Sequence, residues 1–366
     1  MTDQKQISWA ELGRDYLSHA RGIFLVAGTG SFSASGAKAK FSAVCGDIPA
    51  VRFSDFTENP QLSEISAGVR LFEKSGCDVI VAIGGGSSID IAKSVHILAG
   101  HATGEHAAIL RGEKDLEPAV AGRAFIAVPT TFGTGSESTQ FAAVYIGDAK
   151  YSLSHPCGLP GAYVLDPALA LSAPPVIRAS TAIDALCQAI ESYWAKDGSK
   201  ESRAYAAKAI PLLRDNIEAY VSSDDLDVAA NMAEAANLSG RAINVSKTTA
   251  PHALSYGITK RYGVAHGQAV ALTLPAFFTL NADRGDADTK ARMREIFDLL
   301  GVKDGAAAKV WFTGLLAATG LKARLLEIAS VSVDDAEELA AQVNLERLGN
   351  HPVTLTSNDL IAALLA

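Results

Sequence analysis

Asp78-Val-Ile-Val-Ala-Ile-Gly-Gly-Gly-Ser-Ser-Ile-Asp-Ile-Ala-Lys93 is the stretch on which the fold turns. Asp78 to Ile83 is an unbroken, β-branched run, the pattern of a strand buried on both faces. Gly84, Gly85 and Gly86 follow, and helical periodicity then runs from Ile89 to Ala99. Strand, glycine turn and helix make the repeating unit of parallel sheets, and the same alternation extends outward from it. Gly22 to Ala27, Ala50 to Phe53, Ala124 to Val128 and Ala162 to Leu165 read as strands, and Gln61 to Ser75 reads as a helix. After Pro167 the pattern changes. From Ile177 onward Ala- and Leu-rich helical segments dominate, no strand is expected, and Pro174-Pro175 caps the first helix. The sequence predicts an α/β domain over 1–166 and an all-α domain over 167–366.

Composition narrows the function. The chain has 366 residues, 48% of them hydrophobic, enough for two cored domains. A net charge of −8 and no Lys/Arg cluster with interleaved aromatics argue against a nucleic-acid partner. The polar start, Met1-Thr-Asp-Gln-Lys-Gln6, lacks the apolar core of a signal peptide. Gly263 to Leu280 is the longest apolar region, but His266, Gln268 and Pro275 interrupt it, so it reads as a buried helix and no membrane partner is expected. Cys45, Cys77, Cys157 and Cys187 are scattered, which suits reduced thiols in the cytoplasm.

Two sets of residues carry chemistry. Asp184 and Gln188 stand at helical i, i+4 spacing and reach one point; His252 and His266 follow as lone histidines. A carboxylate, an amide oxygen and two imidazoles form a mixed N/O site suited to iron, zinc, nickel or manganese. Glu191 stays open as an alternative ligand. The second set is the glycine loop, whose backbone N–H groups and following helix N-terminus suit a phosphate. Its plainer reading is a tight turn capped by Ser87 or Ser88. Pro129-Thr-Thr-Phe-Gly-Thr-Gly-Ser-Glu137 also follows a strand, where α/β sheets bind ligands. His96, His101, His106, His155 and His351 read as surface or loop residues, and the cysteines as small buried hydrophobes.

These pieces, in this order and spacing, resemble the iron-dependent (group III) alcohol dehydrogenases over nearly the whole chain. The resemblance implies a Rossmann-like N-terminal domain, a helical C-terminal domain, and a cleft between them holding a nicotinamide cofactor and one divalent metal, Fe2+ first and Zn2+ second. It assigns Asp184, Gln188, His252 and His266 to the metal. Gly85, Gly86, Ser87 and Asp90 match the pyrophosphate loop, Thr130, Thr131 and Thr134 the second cofactor loop, and Lys150 a lysine on the cofactor ribose. Within the family, Asp184 to Trp194 and Gly240 to Tyr256 are most similar to phosphonoacetaldehyde reductases. A small phosphonate-bearing aldehyde is then the expected substrate, with Lys247 among the cations facing it, and a homodimer is compatible with the likeness.

Three departures from the family pattern matter. Gln188 stands where His is usual, which weakens the site for a borderline metal. Tyr256 stands where a proton-relaying His is common. Gly28 stands where NAD-preferring members carry Asp, so NADPH becomes acceptable beside NADH. The expected activity is metal-dependent, NAD(P)H-linked reduction of an aldehyde. A general alcohol dehydrogenase, a dehydroquinate-synthase-like lyase and a catalytically inactive binding protein are the alternatives.

Overall fold

The computed structural model describes residues 4–118, 123–147, 149–343 and 345–366. Its strands are β1 (Lys5–Gln6), β2 (Ile23–Val26), β3 (Ala50–Phe53), β4 (Val79–Gly84), β5 (Ala124–Pro129), β6 (Phe141–Ile146), β7 (Ala149–Ser154) and β8 (Ala162–Tyr163). Six form one parallel sheet in the order β1-β8-β5-β4-β2-β3. β4 and β5 run in register from Val79–Ala124 to Gly84–Pro129, so both loops singled out in the sequence leave the sheet side by side at its carboxyl edge.

Alternation along the strands divides the core. Phe24, Val26, Ile80, Ala82, Phe125 and Ala127 pack on one face. Ile23, Leu25, Val79, Val81, Ile83, Ile126 and Val128 pack on the other, with Phe32 and Phe41. The continuous apolar character of the strands follows from this burial on both sides.

The antiparallel hairpin β6–β7 was not anticipated. β6 alternates half-buried and buried residues only over its first four positions and β7 is mostly exposed or half-buried, a weaker signal than the continuous runs. The reading of five histidines as surface or loop residues needs correction: His96, His106 and His351 are buried. His106 receives the Ser66 hydroxyl proton on Nδ1 at 2.9 Å, and His351 Nε2 donates to Asn281 Oδ1 at 2.9 Å. Each has local partners that single-residue spacing does not reveal. The four cysteines are free thiols, three buried and Cys157 half-buried.

The chain forms two compact units, Met1–Thr131 with Ser136–Ala173, and Phe132–Gly135 with Pro174–Ala366. The second consists of helices among the described residues. Its central element is the helix Pro175–Trp194, in which every residue from Ala182 to Trp194 is buried. Such a helix is surrounded by others, here Lys200–Ser222, Leu226–Ser246, His266–Ala271 and Ala287–Leu300. The apolar region expected as one helix is two, His266–Ala271 and Leu274–Arg284, with Pro275 in the first turn of the second. Among the described residues no helix is long and apolar enough to cross a membrane.

Candidate metal centre and cofactor loops

The helix Pro175–Trp194, buried from Ala182 onward, presents Asp184 and Gln188 on one face. Gln188 Nε2 donates to Asp184 Oδ2 at 3.1 Å and to the Thr134 carbonyl at 3.4 Å. His252 lies in the first turn of the helix Ala250–Tyr262, which Pro251 helps to start. His266 opens the helix His266–Ala271, and Gly267 behind it is required by close approach. A Cβ there would stand 1.9 Å from the Ser180 carbonyl oxygen and 2.8 Å from Asp184 Cβ.

Asp184, His252 and His266 each offer a ligand atom, and these atoms lie within 4.8 Å of one another. His252 Nε2 is 3.5 Å and His266 Nε2 4.0 Å from Asp184 Oδ1. Ligands around one first-row ion, each at about 2.0–2.2 Å from it, are separated by roughly 3–4 Å. Glu191, left open as a ligand, is occupied elsewhere: its carboxylate accepts from His252 Nδ1–H, from Thr249 N–H at 2.7 Å and from Thr249 Oγ1–H at 2.8 Å. His252 Nε2 is thereby left for the cluster. Ser255 Oγ–H donates to the His252 carbonyl at 2.9 Å, so its oxygen faces His266 Nδ1 as an acceptor at 3.5 Å.

The electrostatics favour a cation. Burial alone would hold His252 neutral, yet Glu191 and Asp184, by charge and hydrogen bond, carry its pKa up to about 10. Two carboxylates that stabilise an imidazolium also stabilise a divalent ion, so proton and metal compete for this pocket. The donor set therefore fits a divalent metal.

Gln188 has a second feature. Ser239 Oγ lies 2.8 Å from the Ala185 carbonyl and 3.2 Å from Gln188 Oε1. A hydroxyl has one proton, and the shorter contact to a carbonyl takes it. Ser239 is then better able to accept from an amide N–H than to donate to an amide oxygen. The same heavy-atom positions accommodate the turned carboxamide, with nitrogen on Ser239 and oxygen beside Asp184. That oxygen faces other acceptors and is favourable only with a cation among them.

Tyr256 stacks on His266 with ring centroids 5.8 Å apart and planes at 1°. The Arg347 guanidinium lies over the Tyr256 ring at 5.8 Å and donates to Thr248 Oγ1. Lys247 is the single non-glycine residue with positive φ among the described residues, at 59°, where the helix Leu226–Ser246 ends. Asn350 fixes this turn by donating to Ser246 O at 2.7 Å and Thr248 O at 3.0 Å. Lys247 Nζ pairs with Glu346, and both side chains are exposed. Arg261 pairs with Asp335 and Glu338. Arg347 was not picked out in the sequence because its distance along the chain hides its position on Tyr256.

In the first unit, Gly85 is the N-cap of the helix Gly86–Leu98 and supplies no side-chain cap, leaving first-turn N–H groups for an anion. Gly84 has φ 155°, and a Cβ there would meet Ser88 Oγ at 2.3 Å. Thr130 N–H donates to the Gly84 carbonyl at 3.0 Å, and Thr130 Oγ1 is buried without a hydrogen-bond partner. An uncapped helix start beside an orphaned hydroxyl fits a phosphate-bearing cofactor. Ser87 donates to the Glu58 carbonyl. Asp90 instead ties the loops together: Oδ1 accepts from Ser136 Oγ–H at 2.7 Å and Oδ2 from Ala143 N–H at 3.0 Å.

Fully buried Lys93 binds the same loop, donating to Ser136 Oγ at 2.9 Å, Thr139 Oγ1 at 2.8 Å and Phe141 O at 2.9 Å. Burial pulls its pKa down to about 8 against the attraction of Asp90 and Glu137. Thr131 Oγ1 would contact a Cβ at Gly85 at 3.3 Å, whereas Thr134 belongs to the second unit beside Gln188. Lys150 is half-buried on β7, opposite Tyr145. A Cβ at Gly28 would have ordinary room, 3.9 Å from Phe56 and 4.0 Å from Ser88 Oγ. Next to it, Arg52 donates to the Ala27 and Gly28 carbonyls at 3.1 and 2.7 Å and lies over the Phe32 ring at 4.8 Å.

The iron-containing alcohol dehydrogenase family model matches residues 4–167, and that for the C-terminal part of the Fe-containing alcohol dehydrogenase family matches residues 178–366. The chain is 32% identical to a choline dehydrogenase of Bacillus subtilis, over 81% of this chain and 74% of that protein. It is 33% identical to a phosphonoacetaldehyde reductase of Streptomyces viridochromogenes, over 81% of this chain and 78% of that protein. Among solved structures, the sulfoacetaldehyde reductase of Bifidobacterium kashiwanohense in complex with NAD+ superposes with a TM-score of 0.88 at 27% identity, covering 98% of this chain and 95% of that one.

Proposed function

Because the chain belongs to the iron-containing alcohol dehydrogenase family, and so is a metal-dependent NAD-linked dehydrogenase or aldehyde reductase, we propose that it reduces a small phosphonate-bearing aldehyde. Phosphonoacetaldehyde, giving 2-hydroxyethylphosphonate, is the first choice. The observation that carries the reductase reading is the convergence of Asp184, His252 and His266 within 4.8 Å. A bound divalent metal would supply the Lewis acidity that polarises a carbonyl oxygen, and the nicotinamide cofactor would supply the hydride.

The protein's residues hold and orient. Asp184, His252 and His266 would hold the metal, and Gln188 would join them through its amide oxygen if its carboxamide turns over. Tyr256, held flat on His266, delivers a proton from its phenol oxygen. Gly85, Gly86 and the Gly86–Leu98 helix start would hold the cofactor phosphates, with Thr130 and Thr131 as further donors and Lys150 on the ribose. Gly28 and Arg52 make room and charge for a 2′-phosphate, so NADPH serves at least as well as NADH.

The phosphonate reading is supported by the 33% identity to a phosphonoacetaldehyde reductase and by the basic side chains about residues 247 and 347. Lys247 is available to a dianion because an exposed pair such as Lys247–Glu346 contributes only about 0–1 kcal/mol and exchanges readily. A cytoplasmic setting is part of this reading, supported by its free thiols. Steady-state reduction of phosphonoacetaldehyde, sulfoacetaldehyde and propanal with each cofactor tests the proposal. Equal efficiency on propanal would move the reading to a general alcohol dehydrogenase.

A further inference from the structure

Glu191 touches neither end of the proposed chemistry, yet it is fully buried and its carboxylate is engaged by three donors. With three donors on its two oxygens, the carboxylate acts as an acceptor toward each of them. Its Oε2 accepts from both the backbone and the hydroxyl of Thr249, the N-cap of the helix that carries His252. Trp194 Nε1 donates to the same hydroxyl at 2.9 Å. Its Oε1 lies on His252 Nδ1. An acceptor there requires the proton on Nδ1 whenever the ring is neutral, and so leaves the Nε2 lone pair facing Asp184 Oδ1, 3.5 Å away.

We propose that Glu191 is a positioning residue that fixes His252 as the Nδ1–H tautomer and so makes Nε2 a metal donor. The inference rests on the reading of Asp184, His252 and His266 as the metal site. It differs from a packing role because the carboxylate and an isosteric amide have opposite effects on the ring. In Glu191→Gln the carboxamide oxygen keeps the Thr249 N–H bond, and its NH2 then points at His252 Nδ1. An N–H donor at Nδ1 calls for a lone pair there, which moves the proton to Nε2 and blocks coordination. The side-chain volume and the Thr249 bond are retained. The charge lost from behind the imidazole also makes it a poorer donor.

The test measures zinc affinity by chelator competition on the purified full chain, together with 15N chemical shifts of the histidine rings in the zinc-loaded protein. Wild type should bind one zinc, with His252 showing a protonated Nδ1 and a metal-bound Nε2. Glu191→Gln should weaken zinc binding by about 10- to 100-fold. Glu191→Asp keeps the acceptor but withdraws it from the ring, and should fall between the two; it also serves if the Gln variant does not fold. Zinc affinity within threefold of wild type in both variants, with unchanged ring shifts, would overturn the positioning role while leaving the metal site intact. Stoichiometric zinc in wild type that survives Asp184→Asn and His266→Ala unchanged would instead overturn the site itself.

Discussion

Gln188 and Asp184 face each other across one helical turn, with amide nitrogen and carboxylate oxygen 3.1 Å apart. The amide and one carboxylate oxygen are bonded to each other without a metal, while the other carboxylate oxygen, Asp184 Oδ1, faces His252 and His266. An amide must turn over, surrendering its bonds to Asp184 and to the Thr134 carbonyl, before its oxygen can help to bind an ion. Gln188→His should therefore tighten zinc or iron binding by roughly tenfold or more, since imidazole suits these metals better than a neutral oxygen. Ser239→Ala should loosen it by severalfold in the Gln188 background, because the turned amide loses the acceptor for its nitrogen. Chelator competition measures both. Equal affinity in all three proteins would show that residue 188 stands outside the coordination sphere.

The proposed use of NADPH rests on Arg52 and Gly28. With two carbonyls and the Phe32 face holding the guanidinium beside Gly28, the side chain is set in place before any ligand arrives. A charge-assisted bond to a 2′-phosphate contributes about 1.5–3 kcal/mol. Arg52→Ala should raise KM for NADPH by about 10- to 100-fold and that for NADH less than threefold. Parallel losses for both cofactors would mean that Arg52 only braces the β2 end.

Tyr256→Phe keeps the stack on His266 and removes the phenol oxygen. If that oxygen delivers the proton, kcat should fall by about 10²-fold, the low end for general acid catalysis, while metal affinity stays unchanged. An unchanged kcat would pass the role to solvent.

Most of the architecture could be read from continuity and period. β2, β4 and β5 are apolar without interruption because both faces of the sheet are covered, and the glycine loop announces the turn after β4. The two-residue strand β1 and the hairpin β6–β7 lack such a pattern. At the site, Asp184, His252 and His266 could be gathered from residue type and family likeness. What Glu191, Ser239 and Arg347 do could not, because each acts through a partner more than forty positions away, an arrangement set only by helix packing. His351 shows the same limit: its burial against Trp194 and Phe277 is a property of the fold, not of its neighbours in sequence.

That burial has a consequence at acid pH. Burial pushes the pKa of His96 down to about 4 and that of His351 to about 3. The unfolded chain binds these protons near pH 6.5 and the folded one much lower, so the unfolded state gains protons first as pH falls. Their contribution is present above pH 6.5 and is lost progressively toward pH 4, by up to about 3 kcal/mol for His96 over that interval. Urea unfolding of metal-free protein at pH 7.5, 6 and 5 should show the decline, and a His351→Leu variant should show a shallower one. The same slope in the variant would indicate that other groups dominate.

The substrate is decided by what the pocket does when the anion is missing. A site built for a phosphonate keeps cations and donors that a neutral aldehyde leaves unpaired, and unpaired buried polar groups penalise the smaller substrate. Propanal should therefore be reduced with kcat/KM lower by on the order of 10³ than phosphonoacetaldehyde. Lys247 refines the expectation. Its present carboxylate partner, Glu346, is exposed, so a dianion exchanges for it at little cost. Its backbone, at φ 59°, lies in a turn that Asn350 holds by donating to the carbonyls of Ser246 and Thr248. Lys247→Ala should then lower kcat/KM for the phosphonate by about 10- to 100-fold and leave propanal within threefold. Comparable efficiency on the two aldehydes in wild type would exclude the phosphonate. A phosphonate preference that survives Lys247→Ala intact would keep the substrate and shift its recognition to Arg347, whose replacement by Ala is the next measurement.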